Sequence, residues 1–127
     1  MHKIIIVGVG GFIGTVFRYL ISGYVQNLTQ SVAFPHGTLA VNLTGCFLIG
    51  IFSHLVESQA GMTAEMRLLL MVGLLGSFTT YSTFSNETMN LLQDQRLFLA
   101  LINIGTHIFL GLSAVLLGRF TIITIWR

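Results

Sequence analysis

Four long runs of apolar residues follow one another along the chain, separated by the short polar stretches NLTQSVAF, ESQAGMT and QDQR. A helix crosses the bilayer core with roughly 20 mostly apolar residues. Spans at about 3–26, 35–56, 64–92 and 97–123 meet that length. The pattern predicts an all-α membrane protein with four transmembrane helices, and positions 1–127 read as one integral membrane domain. Pro35 fits the first turn of the second helix, where a missing N–H has no consequence. Thr63 reads as the N-cap of the third helix, with Glu65 in its first turn.

The third run is anomalous. As an unbroken helix it would extend about 43 Å against a core of about 30 Å. Its middle, GLLGSFTTYSTFSNE, combines glycines with many hydroxyl side chains. A break is therefore expected there, with Gly73, Gly76 and the SFTTYST run providing a place for it. Broken backbone at membrane depth survives only where it is buried in protein or lines a wet cavity. The break thus points to an ion path or to an assembly surface.

Composition narrows the class. Only 8% of the 127 residues are charged, against about 25% in soluble domains, and the mean hydropathy is +0.85. Six Lys/Arg, scattered along the chain, make no nucleic-acid footprint. Cys46 has no second cysteine to pair with and reads as a packed thiol. Metal-ligand spacings of the CxxC or HxxxH kind are absent. The Asn-x-Ser/Thr triplets at Asn27, Asn42 and Asn86 are assigned no glycans. Lys3 before an apolar run imitates a secretory leader. The apolar pattern continues past Arg18 to Val25, so a retained first helix is expected.

An even number of spans places both termini on one side. That side holds Lys3, Arg67, Arg119 and Arg127, while Arg96 lies on the other with Arg18 toward it. The positive-inside bias is weak. Such a chain is suited to insertion in both orientations and to pairing of inverted copies.

The opening KIIIVGVGGFIG imitates a dinucleotide-binding glycine turn. Counted from Gly8, the sixth position is Ile13 rather than glycine, and no strand–helix alternation follows. Gly10 and Gly14 instead form a GxxxG pair, which lets helix backbones approach closely.

Polar residues within the spans are functional candidates. Arg18 reads either as a snorkelling side chain or as an anion-attracting charge at a vestibule. Thr38 and Asn42, four apart, share a helix face. They serve either as inter-helix hydrogen bonds or, through the Asn42 amide, as donors to a permeating anion. Tyr81, Phe84 and Glu87, with Thr80 and Thr88, form one stripe after the break. Their ring edges carry positive charge density. Ser82, Thr83 and Ser85 flank it with hydroxyls that replace hydration or back-bond to the helix. Glu87, near the end of its span, reads as exposed at the interface. Asn103 and His107, four apart in the last span, suit packing or a proton relay.

GTLAVNLTGCFLIG and GLLGSFTTYSTFSNE, in a chain of four spans, resemble the Fluc/CrcB family of fluoride channels, and GGFIGTVFRY is similar to that family's first helix. The resemblance covers nearly the whole chain. It implies an antiparallel, dual-topology homodimer in the bacterial cytoplasmic membrane. Each dimer would have two pores passing fluoride passively and selectively, giving fluoride resistance. It also implies a structural sodium ion at the dimer centre, held by backbone carbonyls at the third-helix breaks, here those of Gly76 and Thr79. The pore residues carried over are Asn42, Tyr81 and Phe84, with Ser82 and Thr83 beside them and Thr38 one turn away. Asn103 and His107 correspond to the fourth-helix polar track, and Arg18 to the vestibule. Tyr81 departs from the family's usual phenylalanine.

Two transport alternatives remain beside the channel. A small multidrug-type exporter needs a carboxylate in the first span, and that span has none. A fluoride/proton antiporter would use His107 or Glu87. A structural subunit of a larger assembly would explain the GxxxG pair but not a break joined to an aromatic stripe. Nothing in the sequence suggests enzymatic chemistry.

Overall fold

The computed structural model describes residues 1–126. Arg127, counted above toward orientation, lies outside the described residues. The chain is helical throughout: α1 (His2–Thr29), α2 (His36–Glu57), α3 (Ala64–Arg67), a π-helical segment (Leu68–Leu75), α4 (Gly76–Phe78), α5 (Tyr81–Gln93) and α6 (Leu97–Ile125). Four stretches are long and apolar enough to cross a membrane, the third running Ala64–Gln93. The expected spans are recovered to within three residues at every end. Pro35 takes the N-cap position of α2, one residue before the helix proper. Thr63 caps α3 as expected, its hydroxyl accepting from the Met66 N–H at 3.1 Å.

Two helix pairings build the bundle. α1 lies along the third span, and α2 lies along α6. The GxxxG pair explains the first. A Cβ on Gly10 would meet the Leu69 carbonyl oxygen, and one on Gly14 would meet the Leu74 carbonyl and the Ser77 hydroxyl. The α2–α6 crossing repeats the device without having been expected: Gly50 sits against the Val115 carbonyl and Gly118 against that of Phe47. Glu57 and Arg119 join the far ends of α2 and α6 through two hydrogen bonds of 2.9 Å.

The break falls within the expected SFTTYST run, and the glycines named beside it do not make it. Gly76 keeps helical dihedrals (φ −61°, ψ −29°). Gly73 is spent on packing, its missing side chain admitting Val7 O and the Gly10 Cα. The chain leaves the helix at Thr79 (φ −85°, ψ 157°) and Thr80 (φ −149°, ψ 111°). The preceding turns are widened to i→i+5 bonding over Leu68–Leu75, a distortion that often accompanies functional sites.

The interior is small. Val41, Leu75 and Phe78 form its centre, with Leu48, Ile49, Phe52 and Leu74 against them. Most large apolar side chains of α1 and α6 point outward, among them Phe12, Phe17, Phe98, Phe109 and Phe120. A surface so apolar is stable only against lipid or protein.

Candidate functional site: the clasped break of the third span

The geometry starts from two unpaired peptide groups. In an unbroken helix the Thr80 N–H would bond the Gly76 carbonyl, and the Thr83 N–H would bond that of Thr79. Here the Thr80 N–H donates to Asn42 Oδ1 at 2.8 Å, and the Thr83 N–H to Thr80 Oγ1 at 3.2 Å. Asn42 Nδ2 returns a bond to the Thr80 carbonyl at 3.2 Å. The Asn42 amide therefore meets both backbone groups of Thr80, as a neighbouring strand would, and the Thr80 hydroxyl caps α5. The carbonyls of Gly76 and Thr79 lose their helical donors.

This pairing settles protons further along. Because the Thr80 N–H requires an acceptor, Asn42 presents Oδ1 to it and its NH2 to the other side. Nδ2 then donates its second hydrogen to His107 Nε2 at 3.0 Å. A ring nitrogen that accepts carries no proton, so the imidazole proton sits on Nδ1, which donates to the Asn103 carbonyl at 2.9 Å. The His107 ring packs on Phe84, centroids 4.2 Å apart, and Phe84 meets Tyr81 at 5.8 Å.

Two cavities flank the clasp. One, about 990 Å³, is lined by Arg18, Gln26, Thr38, Thr83, Glu87 and Arg96 among others. The second, about 790 Å³, is lined by Asn42, Gly76, Thr79, Tyr81, Phe84 and His107 among others. Thr80 borders both. The shared α2 face of Thr38 and Asn42 thus serves one cavity with each residue. Arg18 faces the first cavity rather than open lipid, half-buried at its wall.

Glu87 is not the exposed interfacial carboxylate expected of it. It is half-buried, and Oε1 accepts the Thr38 hydroxyl at 2.7 Å. Among the described residues its Oε2 has no hydrogen-bond partner. Its place in the Tyr81–Phe84–Glu87 stripe was the signal for this inward position. Asn103 is wholly buried and lines neither cavity; its amide donates to Thr88 Oγ1 at 2.9 Å, and among the described residues its Oδ1 is unpaired. Ser82 is exposed, with its hydroxyl 3.4 Å from that of Thr80. Tyr81 is 80% exposed on the single chain. Thr80 was expected in the stripe for its side chain, but it is its backbone that Asn42 bonds at the centre of the site; Gln26 was not singled out by the sequence. Among the described residues no group of three or more His, Cys, Asp or Glu could hold a metal ion.

Residues 5–119 match the family model for CrcB-like protein, Camphor Resistance (CrcB). The chain belongs to the CrcB-like family. Curated relatives agree over nearly full length. The chain is similar to "Fluoride-specific ion channel FluC 1" of Methanosarcina acetivorans, with 46% identity over 95% of this chain and 91% of the relative. It is similar to "Fluoride-specific ion channel FluC" of Shewanella woodyi, with 44% identity over 94% of each. The protein of the same name from Maridesulfovibrio salexigens is 38% identical over 93% of each. All three carry the name of an ion channel rather than of an enzyme. With four helices able to cross a bilayer, this CrcB-like chain is a multi-pass membrane protein.

Proposed function

We propose that the chain is a passive, selective fluoride channel of the cytoplasmic membrane, assembled as an antiparallel dual-topology homodimer with two pores. The observation that carries this reading is the clasped break. A polar wall of Thr38, Thr83 and Arg18 leads to Thr80, and from there to Asn42, His107 and the ring edges of Phe84 and Tyr81. Arg18 draws the anion into the larger cavity. Hydroxyls and ring edges then stand in for water around a small, strongly hydrated ion without holding it by a full charge. The relatives' names supply the ion.

The partner subunit covers the second cavity in this reading. That cavity opens beside Tyr81, which is largely exposed on one chain. The Gly76 and Thr79 carbonyls, freed by the break, are hard oxygen donors that would hold a structural sodium ion between inverted copies. The ion would supply positive charge to two facing breaks and join the subunits. The weak bias of Lys and Arg, four against two, suits insertion in both directions.

One observation favours a second reading, proton-coupled fluoride exchange. Glu87 is a half-buried carboxyl on the wall of the first cavity. A single experiment separates the two. Liposomes containing the purified protein and potassium fluoride are treated with valinomycin, and efflux is followed with a fluoride electrode. A channel gives fast fluoride efflux, no chloride efflux and no response to a pH gradient. Efflux driven by the pH gradient would replace the channel by the exchanger, and absence of fluoride efflux would overturn both.

A further inference from the structure

α2 starts without a side-chain cap of its own. Its Gly37 N–H, in the first turn, is met from α1: Gln26 Oε1 accepts it at 3.0 Å. The same amide donates from Nε2 to the Ser31 carbonyl at 2.6 Å and to the Phe34 carbonyl at 3.1 Å. Both of its N–H groups are committed, and its oxygen holds a third bond, to partners five, eight and eleven residues away. Gly37 lies hard against α1 as well, since a Cβ there would meet the Ser22 carbonyl. One half-buried side chain therefore fixes the α1–α2 loop and the first turn of α2 together. Thr38, the next residue, is buried and donates to Glu87. Gln26, the loop from Ser31 to Phe34 and Thr38 all border the larger cavity.

We infer that Gln26 is a positioning residue for anion capture: it holds the α1–α2 loop and the start of α2 so that Thr38 and Glu87 keep their places in the cavity wall. This rests on the channel reading. It goes beyond that reading by separating capture in the cavity from transit past Asn42 and Phe84. Capture sets how much fluoride half-saturates the flux, and transit sets its ceiling. A loosened loop raises the first and leaves the second.

The test is the initial rate of fluoride efflux against internal fluoride concentration, for the reconstituted wild type and for Gln26→Met, which keeps the length of the side chain and removes its hydrogen bonds. The half-saturating concentration should rise about five-fold, the equivalent of one ordinary net hydrogen bond, with the maximal flux within about two-fold of wild type. An unchanged half-saturating concentration overturns the proposal, and so does a fall confined to the maximal flux. If Gln26→Met does not assemble, Gln26→Asn, which keeps an amide one methylene short, is read by the same split. A raised half-saturation with an intact ceiling supports the proposal there, and any other result overturns it. A wild type that passes no fluoride overturns the channel reading and the proposal together, whereas a conducting wild type with an unaltered variant overturns the proposal alone.

Discussion

Asn42 bonds both the N–H and the carbonyl of Thr80, at 2.8 and 3.2 Å, across the point where the third span leaves its helix. One side chain from α2 thus does the work that a neighbouring strand does in a sheet, at a break that borders both cavities. Replacing it by alanine leaves both groups unpaired, and each unmet buried group costs about 1–3 kcal/mol. Asn42→Ala is expected to cut fluoride efflux at least about ten-fold and to lower thermal stability in detergent. Wild-type efflux in that variant would mean that the break needs no clasp.

The orientation forced on Asn42 fixes the tautomer of His107, with its proton on Nδ1. Nitrogen NMR of the histidine-labelled protein should find one imidazole in the neutral Nδ1–H form with Nε2 accepting. His107→Phe keeps a ring against Phe84 but leaves one Asn42 hydrogen without a partner, a loss of about 1 kcal/mol that should slow efflux about five-fold. An Nε2–H signal for that residue would contradict the amide orientation deduced from Thr80.

Glycines at Gly8 and Gly14 look alike in sequence and differ in what surrounds them. A Cβ on Gly14 meets backbone of the third span, whereas one on Gly8 meets nothing within 4 Å. Gly14→Val should separate α1 from the π-helical segment and abolish the folded peak on size exclusion. Gly8→Ala should be neutral or stabilising by about 0.5–1 kcal/mol, the usual gain for alanine over glycine inside a helix. Equal behaviour of the two variants would remove the packing role of Gly14.

The contrast between these glycines bears on what was legible in the sequence. Span positions, the Thr63 cap and the Gly10–Gly14 contact depend on local spacing, and all were readable. That the third span breaks was readable from its length and its hydroxyls. Its place was readable as far as the SFTTYST run, but Gly73 and Gly76, offered beside that run, stay out of it: Gly76 remains helical and α1 occupies the space beside Gly73. The exit falls at Thr79 and Thr80, where Asn42, 38 residues away, offers the replacement bonds. Glu87, Gln26 and the Gly50–Gly118 crossing were missed for the same reason. Each depends on a partner distant in sequence; only for Glu87 did a local periodicity, the Tyr81–Phe84–Glu87 stripe, point inward.

Thr38 and Glu87 form a pair in the wall of the larger cavity, 2.7 Å apart, in which the hydroxyl is the carboxyl's one donor among the described residues. Thr38→Val keeps the shape and removes the hydrogen, leaving the carboxyl without that donor beside the anion path. Efflux should fall about five-fold, the equivalent of one ordinary net hydrogen bond. Thr38→Ser, which restores the donor, should recover most of it. Equal rates in the two variants would show that the methyl, not the hydroxyl, is what matters.

Tyr81 is 80% exposed on the single chain, and among the described residues its hydroxyl has no hydrogen-bond partner. Its ring lies beside that of Phe84 at the second cavity, centroids 5.8 Å apart and planes inclined by 51°. Phenylalanine keeps that ring and removes the bulk of the hydroxyl, so no hydrogen bond among the described residues is lost. Tyr81→Phe is therefore expected to conduct fluoride as fast as the wild type or faster, in the same liposome assay. A clear loss of efflux would mean that the hydroxyl is used after all. Its partner would then have to come from the ion or from the second copy of the chain that this reading places over the cavity.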